Sequence, residues 1–421
     1  MSSKKVNQFK LGDLCTKIGS GVTPRGGENV YKKEGVSLIR SQNIYDYYFE
    51  YKGLVFIDDE QANKMKNVEV LPEDVLLNIT GDSVARCSIV PEKVLPARVN
   101  QHVSIIRTNR ELLNPKYLLY WINNSNTKEL LLSYASTGGT RKALTKDMIE
   151  NLKIELPSIK EQEPIADTLS CFDDKIELNN RISKNLDEIA EAIFKSWFVD
   201  FEPFQDGEFE DSELGRIPKG WSVVKIDDVT RESNTGGDAI QKTPMVDYNT
   251  GIKCVRVGDL SNQRGIDGWG YSNVNKENFK KYQLKKNDIV VTRTATLGLN
   301  QIIDEDLMAV YNNGLIRIKL NEKVIPLFFY QSINTDSYKE YIGRIEGESS
   351  TRPNMKINYL LSYKLVCPPI EIQEKFVDII SGLRQQKLIL YKQTNTLTAI
   401  RDSLLPKLMS GEIRVPIEEV Q

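Results

Sequence analysis

One histidine in 421 residues leaves little room for imidazole chemistry. A His-rich metal site is excluded, and a nucleophile–imidazole pair would have to be built on His102 alone. In "NQHVSII" that residue reads as part of a strand. Cysteine is scarce too: Cys15, Cys87, Cys171, Cys254 and Cys367 are scattered with no C-x-x-C pair. That pattern argues against a disulfide framework or a zinc site and fits a reducing compartment. Nowhere do 18 apolar residues run together, and the start, "MSSKKVNQFKLGDL", lacks the apolar core of a signal peptide. The expectation is a soluble, cytoplasmic chain with no membrane partner. An excess of positive charge is missing as well. Net charge is −2 and the pI about 5.9, so any nucleic-acid site must be a local basic surface.

The sequence motifs of catalysis are also lacking. There is no G-x-x-x-x-G-K-[ST] phosphate loop, no G-x-G-x-x-G after a strand and no H-E-x-x-H. "CPPI" at 367–370 has a cysteine where amino-group methyltransferases place Asn or Asp, and Ile370 where they place an aromatic. It reads as prolines that end a strand and open a helix. The carboxylate pairs Asp58-Asp59 and Asp173-Asp174 read as solvated faces. The chain is expected to be no enzyme, with no metal and no cofactor of its own.

What the sequence has is a repeat. "TRKALTKDMIENLKIELPSIKEQE" (140–163) lies over "TRPNMKINYLLSYKLVCPPIEIQE" (351–374) at an offset of 211, pairing Lys153 with Lys364 and Gln162-Glu163 with Gln373-Glu374. Upstream, Pro115 meets Pro326, Asp74 meets Asp288 and Arg40 meets Arg256 as small insertions shift the offset. Matches that keep their order over most of each half indicate a duplicated unit. Each copy begins with short apolar runs such as "VSLIR", "VLLNIT" and "DIVVTRT", set between Gly, Asn, Asp and Pro clusters, which read as strands of an α+β domain.

Each copy ends in a long amphipathic stretch. Ile165, Leu169, Phe172, Ile176, Asn179, Ser183, Leu186, Ala190, Ile193 and Trp197 recur at spacings of four and three. So do Phe376, Ile380, Leu383, Lys387, Leu390, Thr394, Leu397, Arg401, Leu404 and Leu408. That is the spacing of a coiled-coil seam. Residues 157–201 carry five basic and ten acidic side chains, and 370–414 seven and five, so the two stripes complement each other in charge. The expected plan is a domain over 1–156, a long helix over 157–201, a connector over 202–215, a second domain over 216–367, and a second long helix with its tail over 368–421. Apolar helix surface around Trp197, Phe198 and Leu408 is expected to stay exposed for a partner. Pro406 is expected to end or kink its helix.

Side chains able to bond base edges and phosphates sit in the turns. In the first copy they are Thr23, Arg25, Arg40, Gln42, Asn43, Arg86, Thr140, Arg141 and Lys142. The second copy offers Arg256, Gln263, Arg264, Arg293, Thr351, Arg352 and Asn354. For any one of them, plain surface charge is the alternative.

These features together resemble one family. The duplicated plan, the two P-x-I-x-x-Q-E entries (Pro157 to Glu163 and Pro368 to Glu374), "IFKSWFVDFEPF" and "SLLPKLMSGEI" are similar to the specificity subunit of type I restriction-modification systems. That resemblance implies two target recognition domains separated by two long helices packed as an antiparallel coiled coil, a pseudo-two-fold repeat. Each domain would read one half of a bipartite, asymmetric site on double-stranded DNA. The helices would dock two methyltransferase subunits, joined by restriction and translocation subunits. S-adenosylmethionine, ATP and Mg would belong to those partners. The alternative is a scaffold or decoy that docks methyltransferase subunits without reading DNA.

Overall fold

Short apolar runs bounded by turn residues pair into sheets, and they do so in the same order twice. The computed structural model describes residues 7–136, 142–236, 245–348 and 353–416. In the first half, Cys15–Ser20, Val103–Thr108, Val75–Asn78 and Cys87–Ile89 form a four-stranded antiparallel sheet in that spatial order. Thr230–Thr235, Leu315–Leu320, Ile289–Thr292 and Asn300–Ile302 repeat it in the second half.

A second sheet in each half holds a parallel pair, Val36–Ile39 with Ala97–Val99 and Lys253–Val255 with Ala309–Tyr311. Val55–Ile57 and Gly270–Ser272 flank these pairs antiparallel. The fourth strand differs: Glu69–Val70 joins Ala97–Val99 at one edge, whereas Met245–Val246 joins Gly270–Ser272 at the other. Central strands such as Val75–Asn78 and Ile289–Thr292 are buried along their whole length, because both sheet faces are covered. The paired Asp74 and Asp288 do the same work, accepting the backbone N–H of Leu71 at 2.7 Å and of Lys285 at 2.9 Å.

Two 40-residue helices follow, Ile159–Phe198 and Ile370–Met409, each about 60 Å long at ~1.5 Å per residue. The chain divides into two compact units, Met1–Asn180 with Tyr391–Gln421, and Arg181–Leu390. Each unit therefore takes one half of each helix. In the first, the Asn179 amide donates to Thr394 Oγ1 at 3.4 Å and the Arg401 guanidinium donates to Asp173 at 2.5 Å. One number rises as the other falls, so the helices run antiparallel. Within the second unit, Lys387 meets Asp187 at 2.6 Å and the rings of Phe194 and Trp197 pack against Phe376.

Of the expected seam, Ile165, Leu169, Leu186, Phe376, Ile380 and Leu390 are buried, while Phe172, Ile176, Ile193, Leu383, Leu397 and Leu404 are half-buried. Near the helix ends the buried stripe shifts to Phe194 and Phe198 on one helix and to Leu405 and Leu408 on the other. There the helices pack against globular cores as well as each other, which widens the apolar face beyond two positions per heptad.

One expectation is corrected. Phe198 and Leu408 are not exposed: Phe198 is ringed by Trp221, Phe328 and Phe376, and Leu408 belongs to the core of the first domain. Trp197 is half-buried against Phe204. Pro406 lies in the last turn of its helix, which runs on to Met409. So close to the end, the missing N–H removes only one of the last bonds. The connector also has structure of its own, a hairpin of Phe209–Ser212 on Gly215–Pro218.

The opening of each helix explains the repeated P-x-I-x-x-Q-E. Gln162 is 1% exposed, accepts the Asn114 N–H at 2.9 Å, and donates to the carbonyls of Leu112 and Pro157, each at 3.0 Å. Gln373 is fully buried, accepts from Ile325 at 2.9 Å, and donates to Lys323 at 3.2 Å and Pro368 at 2.9 Å. An amide carries both an acceptor and donors, so one glutamine ties the turn before Pro115 or Pro326 to the start of the long helix.

Candidate nucleic-acid interface

In the first domain, backbone bonds gather the candidate residues at one end of the sheets. Gly21 N–H donates to Val103 at 2.9 Å and Val22 to Val99 at 3.1 Å, which brings the exposed Thr23 and Arg25 to this rim. Asn78 donates through its amide to the Ser41 carbonyl at 2.8 Å and through its backbone N–H to Arg86 at 2.9 Å. Gly81 N–H donates to the carbonyl of the exposed Lys142 at 3.1 Å. His102 precedes its strand by one residue, with Nδ1 2.6 Å from Thr80 Oγ1.

The second domain builds the same rim. Arg293 N–H donates to Gly314 at 2.8 Å, Asn312 N–H to Val255 at 3.1 Å, and Thr294 bridges to the exposed Asn354. Arg256 begins the short helix Val257–Ser261, and the exposed Gln263 and Arg264 follow it. Thr140, Arg141, Thr351 and Arg352 lie outside the described residues.

The candidates differ in how many of their donors are already used. Asn43 is fully buried: it accepts the Arg40 N–H at 3.0 Å and donates to the Glu50 carbonyl at 2.9 Å, so its amide serves the turn and offers no edge to a base. Arg40 and Gln42 both donate to the Gly53 carbonyl, at 2.7 and 3.2 Å. Arg256 and Arg264 flank Asp259, each at 3.5 Å. Arg293 donates to Met355 at 3.1 Å and to the Asn313 side chain at 3.1 Å. The Arg86 guanidinium is different, lying 4.5 Å from the centre of the Tyr45 ring.

Several rim residues escape a reading of the sequence alone. Tyr45 stacks on Tyr48 with ring centres 4.9 Å apart and planes 13° from parallel, and Tyr48 is half exposed. Partial burial, then the neighbouring Tyr45 and Glu50, push the Tyr48 phenol up to about 12, so at neutral pH it keeps its proton and can donate. The run "YDYYFEY" is the available signal. Gly21 and Gly236 are structural counterparts: a Cβ on Gly21 would come within 2.1 Å of the Val99 carbonyl oxygen, and one on Gly236 within 2.3 Å of the Tyr311 oxygen. Only glycine lets the two segments approach this closely.

Charge distribution removes the difficulty posed by the low pI. Residues 1–156 hold 22 basic and 18 acidic side chains and 216–367 hold 22 and 17, whereas the rest of the chain holds 12 and 23. The positive charge sits on the two domains. Burial pushes the thiols of Cys15 and Cys254 up to about 12 and raises those of Cys87 and Cys367, which keeps them protonated. Among the described residues there is no group of three or more side chains able to hold a metal ion, and no helix is long and apolar enough to cross a membrane.

A basic α+β domain present twice, each copy carrying its reading-type side chains on one rim and followed by a long helix, defines a duplicated DNA-specificity protein. The chain belongs to the type I restriction modification DNA specificity domain family, whose model matches residues 3–188 and 218–399. It is 28% identical over 409 residues to the MjaIX specificity subunit of Methanocaldococcus jannaschii, covering 94% of this chain and 91% of that one. To the HindI specificity subunit of Haemophilus influenzae it is 25% identical, covering 96% of this chain and 99% of that one. The type I S subunit of M. genitalium shares the fold, with a TM-score of 0.55 at 15% identity over 97% of this chain and 98% of that one. The chain is thus a specificity subunit: it sets DNA sequence specificity within a complex and is itself non-catalytic, and its relatives favour this over a scaffold indifferent to sequence.

Proposed function

We propose that the chain reads a bipartite, asymmetric duplex site, with one domain on each half, and that the paired helices set the unread spacer and dock two methyltransferase subunits. The observation that carries this reading is the contrast within the repeat: the four-stranded antiparallel sheet and the parallel pair are shared, while the rim side chains are not. A shared frame presents each rim to the duplex in the same manner, and unlike side chains then select unlike bases. Phosphate contacts from the basic domains supply affinity and fix the register. Arg25, Arg86, Lys142, Gln263, Arg264 and Asn354 are the exposed or uncommitted side chains placed to take part, and Asn43 is removed from that group by its burial. Restriction and translocation subunits join the same assembly, and S-adenosylmethionine, ATP and Mg act there.

Mapping methylated adenines in a genome that expresses the chain with its methyltransferase subunit tests the reading. The expected result is one motif of two unlike specified blocks separated by a fixed unread gap. A continuous or palindromic motif would contradict it.

A further inference from the structure

Among the described candidate arginines, Arg86 combines the closest approach to an aromatic ring with a guanidinium free of hydrogen bonds and ion pairs; Arg40 also lies over a ring, 5.3 Å from the centre of Tyr31, but donates to the Gly53 carbonyl. The Arg86 guanidinium lies over Tyr45, which is itself stacked on Tyr48. Among the described residues, no acceptor is hydrogen-bonded to that guanidinium. Arg40 donates one N–H to the Gly53 carbonyl, Arg293 donates to the Met355 carbonyl and the Asn313 amide, and Arg256 and Arg264 each lie 3.5 Å from the Asp259 carboxylate. Arg25 is exposed, with no ring to orient it.

The stack is held from both sides by backbone that a non-glycine residue seldom adopts. Tyr47 has φ +70° and Ala85 has φ +69°. At the first, the turn closes through Tyr45 N–H to the Tyr48 carbonyl at 3.1 Å, while the Tyr47 ring packs the opposite way, 3.8 Å from the Arg401 guanidinium. At the second, Ala85 N–H donates to Asn78 at 2.8 Å and sets Arg86 at the end of the strand pair. Left-handed conformations at non-glycine residues are disfavoured and persist where the surroundings over-determine them.

Stacking fixes the plane of a guanidinium and leaves its N–H edge free. That fork matches the O6 and N7 acceptors of guanine in the major groove. The second domain lacks this device. Thr292 N–H donates to the Leu299 carbonyl at 2.8 Å, as Asn78 does to Arg86, and Gly298 repeats the bond of Ala85 at 2.9 Å. Leu299 therefore stands where Arg86 does.

Resting on the reading that the first domain contacts DNA through this rim, we propose that Arg86, held by Tyr45 and Tyr48, is the specificity-determining residue for one guanine in the half-site of the first domain. Among the described residues, the second domain has no equivalent reader, since Leu299 stands at that position.

The test is the base preference of the full chain, assembled with its methyltransferase subunit, on duplexes randomised through both half-sites. It is measured for the unmodified chain, Arg86→Lys, Arg86→Leu and Tyr45→Leu, with thermal unfolding of each to confirm folding. Arg86→Lys keeps the charge and loses the fork. It should reduce preference at one G·C pair by about tenfold to a hundredfold and leave the other half-site unchanged. Arg86→Leu should do the same, and Tyr45→Leu should weaken the same position only. Retained guanine preference in Arg86→Lys, or a loss of affinity equal at every sequence, would overturn the assignment. If the unmodified chain shows no preference in either half, the underlying reading fails instead.

Discussion

Two short helices occupy corresponding places in the two domains and carry opposite charge. In the first domain, Asp59–Lys64 starts from the cap of Asp58, whose carboxylate accepts the Gln61 N–H at 2.9 Å, and Lys64 pairs with Glu60 at 2.5 Å. The second domain has Lys276–Tyr282, capped by Asn275, with Lys276, Lys280, Lys281, Lys285 and Lys286 all exposed and none in an ion pair among the described residues. Nearby carboxylates cap backbone rather than pair with these lysines: the buried Asp288 accepts the Lys285 N–H at 2.9 Å, and the exposed Asp306 accepts the Lys286 N–H at 2.9 Å. Like charges four apart on a helix repel, so this lysine face costs stability that its counterpart does not. The duplication kept what the fold needs and released the surface, and the released surface is where the two domains differ.

The buried joints show the same divergence in a different form. Asp173 and Arg384 are counterparts at the 211-residue offset. Asp173, half-buried, lies between the buried Arg401 and the Tyr120 hydroxyl, which donates to it at 2.6 Å. Arg384, more exposed, donates to Asp304 at 2.6 and 2.8 Å.

The largest expected effect breaks the first joint. Arg401→Met leaves the half-buried Asp173 carboxylate without its cation and should lower unfolding free energy by about 3–5 kcal/mol in denaturant titrations. Arg384→Met, at a partly solvated pair, should cost less than about 2 kcal/mol. Acid should narrow that gap. Burial raises the Asp173 carboxyl above the ordinary carboxylate range, while Arg401 and Tyr120 pull it down. A raised folded value means that its stabilising contribution is complete below the ordinary range and fades as pH rises through the raised value. Removing Arg401 lifts it further, so the variant should regain thermal stability as pH falls toward 4. A loss that stays constant with pH would contradict this account of the joint.

Smaller and equal effects are expected where the domains agree. Gln162→Leu and Gln373→Leu each strand a buried N–H and two carbonyls, and each should cost about 2–3 kcal/mol. Clearly unequal losses, read from the unfolding of the two variants, would break the structural equivalence of the two helix entries. The smallest effect sharpens the surface contrast. Replacing Lys276, Lys280, Lys281, Lys285 and Lys286 with Gln should leave base preference unchanged. It should also make the slope of log K against log salt shallower by about 0.9 for each phosphate that is no longer neutralised. Changing Asp59 and Glu60 to Gln should not flatten it.

Much of this is legible in the sequence. The 211-residue offset locates both helix entries, the strand runs and the paired Asp74 and Asp288, because order and burial are enforced by the core. Gln162 and Gln373 are visible as repeats, but their work as buried latches is not, since it depends on turns some 50 residues upstream. The heptad spacing finds Ile165, Leu169, Phe376 and Leu408 yet misses Phe198 and Leu405, whose burial comes from globular cores that a helix pattern does not encode. Asn43 looks like a reader because an amide in a turn is the same letter whether it faces solvent or its own backbone. Tyr45 and Tyr48 are missed because a search for charged and amide readers passes over aromatic residues, and the stack exists only through the turn at Tyr47.

The central claim is that each domain addresses its own half of the recognised site. The most direct measurement exchanges residues 1–156 for the corresponding domain of another specificity subunit, leaves both long helices intact, and maps methylated adenines again. One half of the motif should change, with the other half and the gap retained. A change in both halves would contradict the account.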